Sequence, residues 1–152
     1  MSTPTKDFST LTDPTSPAAR TRLAKMIMSL FDHWDVDTSA QALLLGLSPE
    51  DRWTLTGYRN GSPFENSSEL IGRAGHLLSI HKSLRIIFPQ DLDLAYRWVS
   101  APNRRFNEKK PLEIMTESYK GLLAIRAYLE SESRDEYSYD ADHHPEVAKD
   151  LQ

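Results

Sequence analysis

Cysteine is absent from this chain of 152 residues, so neither a disulfide framework nor a thiolate metal site is available to it. Long apolar runs are missing too; none approaches the ~20 residues that cross a bilayer. Met1 to Thr12 has neither the basic start nor the apolar stretch of a secretory leader. A cytoplasmic location without a membrane partner is therefore expected, and the Asn-x-Ser triplets at Asn60 and Asn66 read as chance matches. No segment longer than a few residues alternates like a strand. Gly-rich phosphate loops and His-x-x-x-His pairs are lacking. Gly72 and Gly75 sit inside a helical stretch, where close helix packing is the expected reason for them. Catalysis needs a nucleophile with a base, a carboxylate pair or a metal on rigid elements, and the body of the chain offers none. The one dense group of candidate ligands, Asp142-His143-His144, falls in an acidic tail where nothing fixes its geometry. The expectation is a binding protein, with no enzymatic activity, cofactor or metal.

What is present is unevenly distributed. Of 22 acidic and 18 basic residues, eight acidic ones lie in 130–152 (Glu130, Glu132, Asp135, Glu136, Asp140, Asp142, Glu146, Asp150) against Arg134 and Lys149. That leaves 14 acidic and 16 basic residues over 1–129. A slightly basic body thus carries an acidic tail, and such asymmetry marks an appendage with its own task.

Residues 1–18 are rich in Thr, Ser and Pro and too poor in large apolar groups to offset their ordering entropy, so a flexible arm is expected. From there Leu23, Met26/Ile27, Leu30/Phe31 and Trp34 recur at helical spacing, stopping at Asp35-Val36-Asp37. Thr38 or Ser39 is a suitable cap for a short helix from Ala40 to Leu45, which Gly46 ends. Ser48-Pro49-Glu50-Asp51 reads as the next start, with Ser as cap and Pro at the first position, for a helix through Trp53, Leu55 and Tyr58. The longest pattern begins at Ser67 or Ser68. It buries Leu70, Ile71, Ala74, Leu77, Leu78, Leu84, Ile87 and Phe88 and stops at Pro89. His76 and His81 lie on it, where packed or surface roles are commoner than metal ligation. A short helix from Asp91 to Val99, a basic irregular segment from Ser100 to Lys110, a turn opened by Pro111 and a final helix from Tyr119 to Leu129 complete the set. The fold class is all-α.

Two short helices around Gly46 have the size of a helix-turn-helix. Glu50 and Asp51 at the start of the second repel phosphate, leaving Arg52, Thr54, Thr56 and Arg59 as candidate DNA contacts.

Three stretches together resemble the Xre/MbcA/ParS antitoxins. They are Leu30-Phe31-x-x-Trp34 followed by Ala42-Leu43-Leu44-Leu45-Gly46; Leu77-Leu78-x-Ile80-x-x-x-Leu84-Arg85-Ile86-Ile87-Phe88-Pro89; and Trp98-Val99-x-x-Pro102-Asn103-x-x-Phe106 with Lys110-Pro111-Leu112-Glu113-Ile114-Met115, Gly121-Leu122 and Tyr128-Leu129. The resemblance implies an Xre-like helix-turn-helix half over 19–66, packed on a small helical toxin-binding half over 67–130, between the arm of 1–18 and the tail of 131–152. It also implies a cognate toxin, commonly a RES-domain enzyme that consumes NAD or transfers ADP-ribose from it. Operator DNA and a second copy of the chain are the further partners implied, and autorepression the further role. Asn103, Arg104, Arg105, Phe106, Lys109, Lys110 and Glu113 are the expected toxin contacts. Tyr137 and Tyr139 are candidate anchors for an acidic tail laid over a basic catalytic cleft. Where relatives carry a Gly-Gly step after the loop Phe, this chain has Asn107-Glu108.

Overall fold

A computed structural model describes residues 13 and 15–143, with side chains through residue 135. Among the described residues there are seven α-helices and no strand. Two compact units divide inside the helix Ser68–Ile87, after Gly75.

In the first unit, α1 (Pro17–Trp34) starts where Ser16 accepts a hydrogen bond from the Ala19 amide at 3.1 Å, with Pro17 at the first helical position. Its buried stripe is Ala24, Ile27, Met28, Leu30, Phe31 and Trp34. Met28 takes the place expected for Met26, which is 52% exposed; an Ala24–Ile27–Met28–Phe31 progression keeps closer to 3.6 residues per turn. Asp35, left-handed at φ 56°, ends the helix.

Helix α2 (Thr38–Leu44) is capped by Asp37, whose carboxylate accepts from the Ala40 amide at 2.8 Å, one residue earlier than the Thr38/Ser39 expectation. Helix α3 (Arg52–Arg59) departs further. Ser48-Pro49-Glu50 is a turn, and Asp51 is the cap, accepting from the Thr54 amide at 3.1 Å and the Thr54 hydroxyl at 2.8 Å. A charged carboxylate at the positive end of a helix outcompetes a hydroxyl there, and Ser48 keeps only a 3.4 Å contact with the Glu50 amide. Phe64, in the stretch expected as a mere turn, is fully buried edge-on to Tyr58 at 4.6 Å. The Arg20 guanidinium holds it by donating to its carbonyl at 2.7 Å.

Helix α4 (Ser68–Ile87) starts at Ser67, whose hydroxyl accepts from the Leu70 amide at 3.3 Å. Its most buried side chains are Leu70, Ala74, Leu77, Ile80 and Leu84; Ile71 and Leu78 are only half-buried. A Cβ built on Gly72 or Gly75 meets nothing within 4 Å among the described residues, so close packing does not account for these two glycines.

The second unit continues with α5 (Leu92–Arg97), capped by Asp91, and a 3₁₀ turn over Trp98–Ser100. After the basic loop, α6 (Pro111–Glu117) packs on α7 (Tyr119–His143). A Cβ on Gly121 would lie 2.0 Å from the Ile114 carbonyl oxygen, so at this crossing only glycine fits. The core joins Val99, Met115, Leu122, Ile125 and Leu129. Helix α7 runs well past the expected end at Leu129, because no Gly or Pro interrupts residues 130–143 and Ser133 is itself buried. His76 is a packed residue. Arg126 donates to its Nδ1 at 2.6 Å, so its other nitrogen, Nε2, carries the proton and donates to the Tyr119 hydroxyl at 2.9 Å.

Candidate toxin-binding site

Residues 76–129 hold nine basic side chains against five acidic ones, and four of the nine fall between Arg104 and Lys110. The loop that presents them is built around Asn103. Its amide donates to the Lys109 carbonyl at 3.1 Å, and its carbonyl accepts from the Phe106 and Glu108 amides at 3.0 and 2.9 Å. The Asn103 side chain accepts from the Arg105 amide at 2.9 Å, opening a 3₁₀ turn over Arg104–Phe106. To close so tightly the chain places Asn107 at φ 57° and Glu108 at φ 67°, both left-handed. This is the position of the missing Gly-Gly step, and the geometry explains why glycine suits it.

The expected contact residues divide by placement. Arg104, Arg105, Lys109, Lys110 and Glu113 are exposed, while Phe106 and Asn103 are half-buried. Lys109 lies 3.7 Å from Glu117, and Arg105 lies 3.8 Å from Glu132, both loose pairs in water. Tyr137 and Tyr139 fall on α7 beyond residue 135, where side chains lie outside the described residues, as does His144.

Phe106 folds back onto two rings carried by other elements. It meets Tyr128 edge-on at 5.2 Å and Trp98 at 6.2 Å, and Trp98 and Tyr128 lie nearly parallel at 6.4 Å. The Arg105 guanidinium stands 5.9 Å above the Tyr128 ring, and the Tyr128 hydroxyl donates to Glu132 at 3.3 Å. Partial burial, reinforced by the Glu132 charge and opposed by Arg105, pushes the Tyr128 phenol above its ordinary pKa. Beside these rings is an open depression of about 230 Å³, lined by Ile87, Phe88, Trp98, Asn103, Arg105, Tyr128, Leu129 and Glu132. Tyr128 and Glu132 were missed because they come from α7, a turn apart. Their i, i+4 spacing was the available signal.

Residues 83–132, which contain the loop, the three rings and the whole lining of the depression, match the family described as the antitoxin Xre/MbcA/ParS C-terminal toxin-binding domain. The chain carries that domain. No curated protein matches the chain. Residues 83–132 are therefore similar to the toxin-binding part of an antitoxin, and such a domain implies a cognate toxin as its partner. The basic loop and the aromatic cluster are thus features of a toxin-binding domain.

The candidate DNA contacts lie in the other unit, on α3. Arg59 is held by Asp32 through two hydrogen bonds of 2.9 and 3.1 Å. Thr54 is bound to its cap Asp51, and the Thr56 hydroxyl donates to the Arg52 carbonyl at 2.9 Å. Arg52 and Thr56 are exposed, and so is the apolar Trp53 between them, at 89%. Residues 1–75 hold nine acidic and seven basic side chains, a weak electrostatic basis for duplex binding. Among the described residues no three His, Cys, Asp or Glu side chains gather as a metal site, and no helix is long and apolar enough to cross a membrane.

Proposed function

We propose that this chain is the cytoplasmic antitoxin of a type II toxin–antitoxin pair and neutralises a RES-type toxin that consumes NAD or transfers ADP-ribose from it. One observation carries the reading: within the segment matching a toxin-binding domain, a tightly closed loop presents Arg104, Arg105, Lys109 and Lys110 beside half-buried Phe106. Aromatic and arginine side chains next to a partly desolvated cluster are the residue types that dominate protein–protein binding energy. Glu113, exposed in the first turn of α6, borders the same surface and sets its charge pattern. The acidic end of the chain, with Tyr137 and Tyr139, adds a second contact over the toxin's catalytic cleft. A cleft built to hold a dinucleotide's phosphates is basic, so it attracts an acidic segment and repels the loop. The loop therefore docks outside that cleft.

Co-expression with the product of the adjacent gene tests the reading. The expected result is a co-purifying complex in which the toxin's NAD consumption is suppressed; two proteins that elute separately would refute it.

A second role, repression of its own operon by a homodimer, draws support from the packing of α3 against both α1 and α2, the arrangement a helix-turn-helix needs. Arg52, Thr54, Thr56 and Arg59 are its proposed DNA contacts. A mobility shift on the upstream operator, weakening steeply with added salt, is the corresponding test.

A further inference from the structure

We propose that the depression beside the basic loop is a socket for one large apolar side chain of the toxin, carried on a segment with a carboxylate next to it. The proposal rests on the toxin-binding reading above and adds the chemistry of the contact.

Size decides first. At about 230 Å³ and open to solvent, the depression is smaller than the ~300–1,000 Å³ of small-molecule sites. A cavity of ~150 Å³ accepts benzene, so a single aromatic or branched aliphatic side chain is the matching occupant. The walls agree. Ile87, Phe88, Trp98 and Tyr128 are each half-buried, leaving apolar surface that a partner side chain would remove from water. Such a pocket is pre-formed, because Trp98, Phe106 and Tyr128 brace one another.

The rim supplies the charge argument. Arg105 lines the pocket with its side chain 65% exposed, and its carboxylate neighbour is Glu132, at a loose 3.8 Å. Among the described residues Arg104 and Lys110 have no carboxylate partner. A rim with that cationic surplus fits an acidic segment, whose carboxylate takes a bidentate place on Arg105 that Glu132 fills only weakly. All eight lining residues fall inside the segment that matches a toxin-binding domain, which favours the toxin over a second copy as the occupant.

The test uses the full chain and the protein encoded by the adjacent gene, with affinity measured by calorimetry. Ile87→Trp fills the depression, and at least a tenfold loss of affinity is expected. Arg105→Glu should lose a similar factor and flatten the salt dependence of association. Lys82→Ala, on a separate groove lined by Ser79, Ser83, Arg126 and Arg134, should bind like the parent. In the unsubstituted chain the Trp98 indole N–H resonance should shift on binding, which covers the case in which Ile87→Trp fails to fold. A toxin that binds the parent and Ile87→Trp equally, or that leaves Trp98 unshifted, overturns the socket while the antitoxin reading stands. Loss of binding in Lys82→Ala alone would move the interface to the other groove. A parent chain that binds no adjacent-gene product overturns both.

Discussion

Asn107 and Glu108 stand side by side in the left-handed region, at φ 57° and 67°, and together close the loop that carries the basic side chains. Left-handed backbone costs a residue with a Cβ roughly 1–2 kcal/mol, less for Asn than for Glu. Glu108→Gly should therefore stabilise the protein by about 1 kcal/mol, and Asn107→Gly by less. Urea denaturation of the two variants checks this, and a lowered midpoint for Glu108→Gly would contradict it.

The glycines of the helices should respond in opposite directions. Gly121→Ala drives a Cβ into the Ile114 carbonyl and should cost ~3 kcal/mol, since the α6–α7 crossing has to part. Gly72→Ala and Gly75→Ala meet open space, and each should stabilise α4 by about 0.8 kcal/mol through helix propensity. Thermal melts of the three variants separate the cases.

Tyr58 and Tyr128 should make stability fall at high pH. Burial is the larger cause of the raised Tyr58 pKa, with Glu65 and Asp51 adding to it; burial and Glu132 act on Tyr128. Both folded-state values lie above the ordinary tyrosine value of ~10, so above that pH the unfolded chain has lost protons the folded one keeps. Stability then declines as pH rises through and beyond that value. The decline should be shallower in Tyr58→Phe, and phenolate absorbance should show one fewer late-titrating tyrosine in each Phe variant.

Releasing Arg59 should bear on DNA more than on stability. Its pair with Asp32 is largely solvent-exposed, so Asp32→Asn should cost less than ~1 kcal/mol. With α3 reading the operator, the freed guanidinium should tighten binding and steepen the salt dependence by about one phosphate's worth. Unchanged binding by Asp32→Asn in a mobility-shift titration would remove Arg59 from the DNA contacts.

The position of a C-terminal truncation should matter. Ending the chain at residue 135 keeps Glu132 on Tyr128 and the buried Ser133, whose hydroxyl donates to the Glu130 carbonyl at 2.9 Å. Its melting temperature should match the parent, while protection against the toxin should weaken. Ending it at residue 130 removes these contacts as well, and should lower the melting temperature together with protection.

Much of the fold was legible because it depends on local signals. Helical periodicity, the absence of alternation, Pro17 and Pro111 at first helical positions and Asp91 before Leu92 act over a few residues, and seven helices followed. Caps were less legible where several acceptors compete, as at Ser48 and Asp51, because the winner depends on which backbone amides the turn presents. Phe64 and Ile80 were overlooked as core, since burial is settled by what packs above a residue rather than by its own segment.

The candidate site divides the same way. The sequence by itself determined the basic loop, its aromatic residue and its departure from a Gly-Gly step, all within eight consecutive positions. Only the tertiary structure decided that Phe106 closes on Trp98 and Tyr128, that Glu132 faces Arg105, and that a socket opens between them. Those residues come from separate elements, and their meeting depends on how α7 lies across the loop, a long-range packing choice that no local spacing encodes.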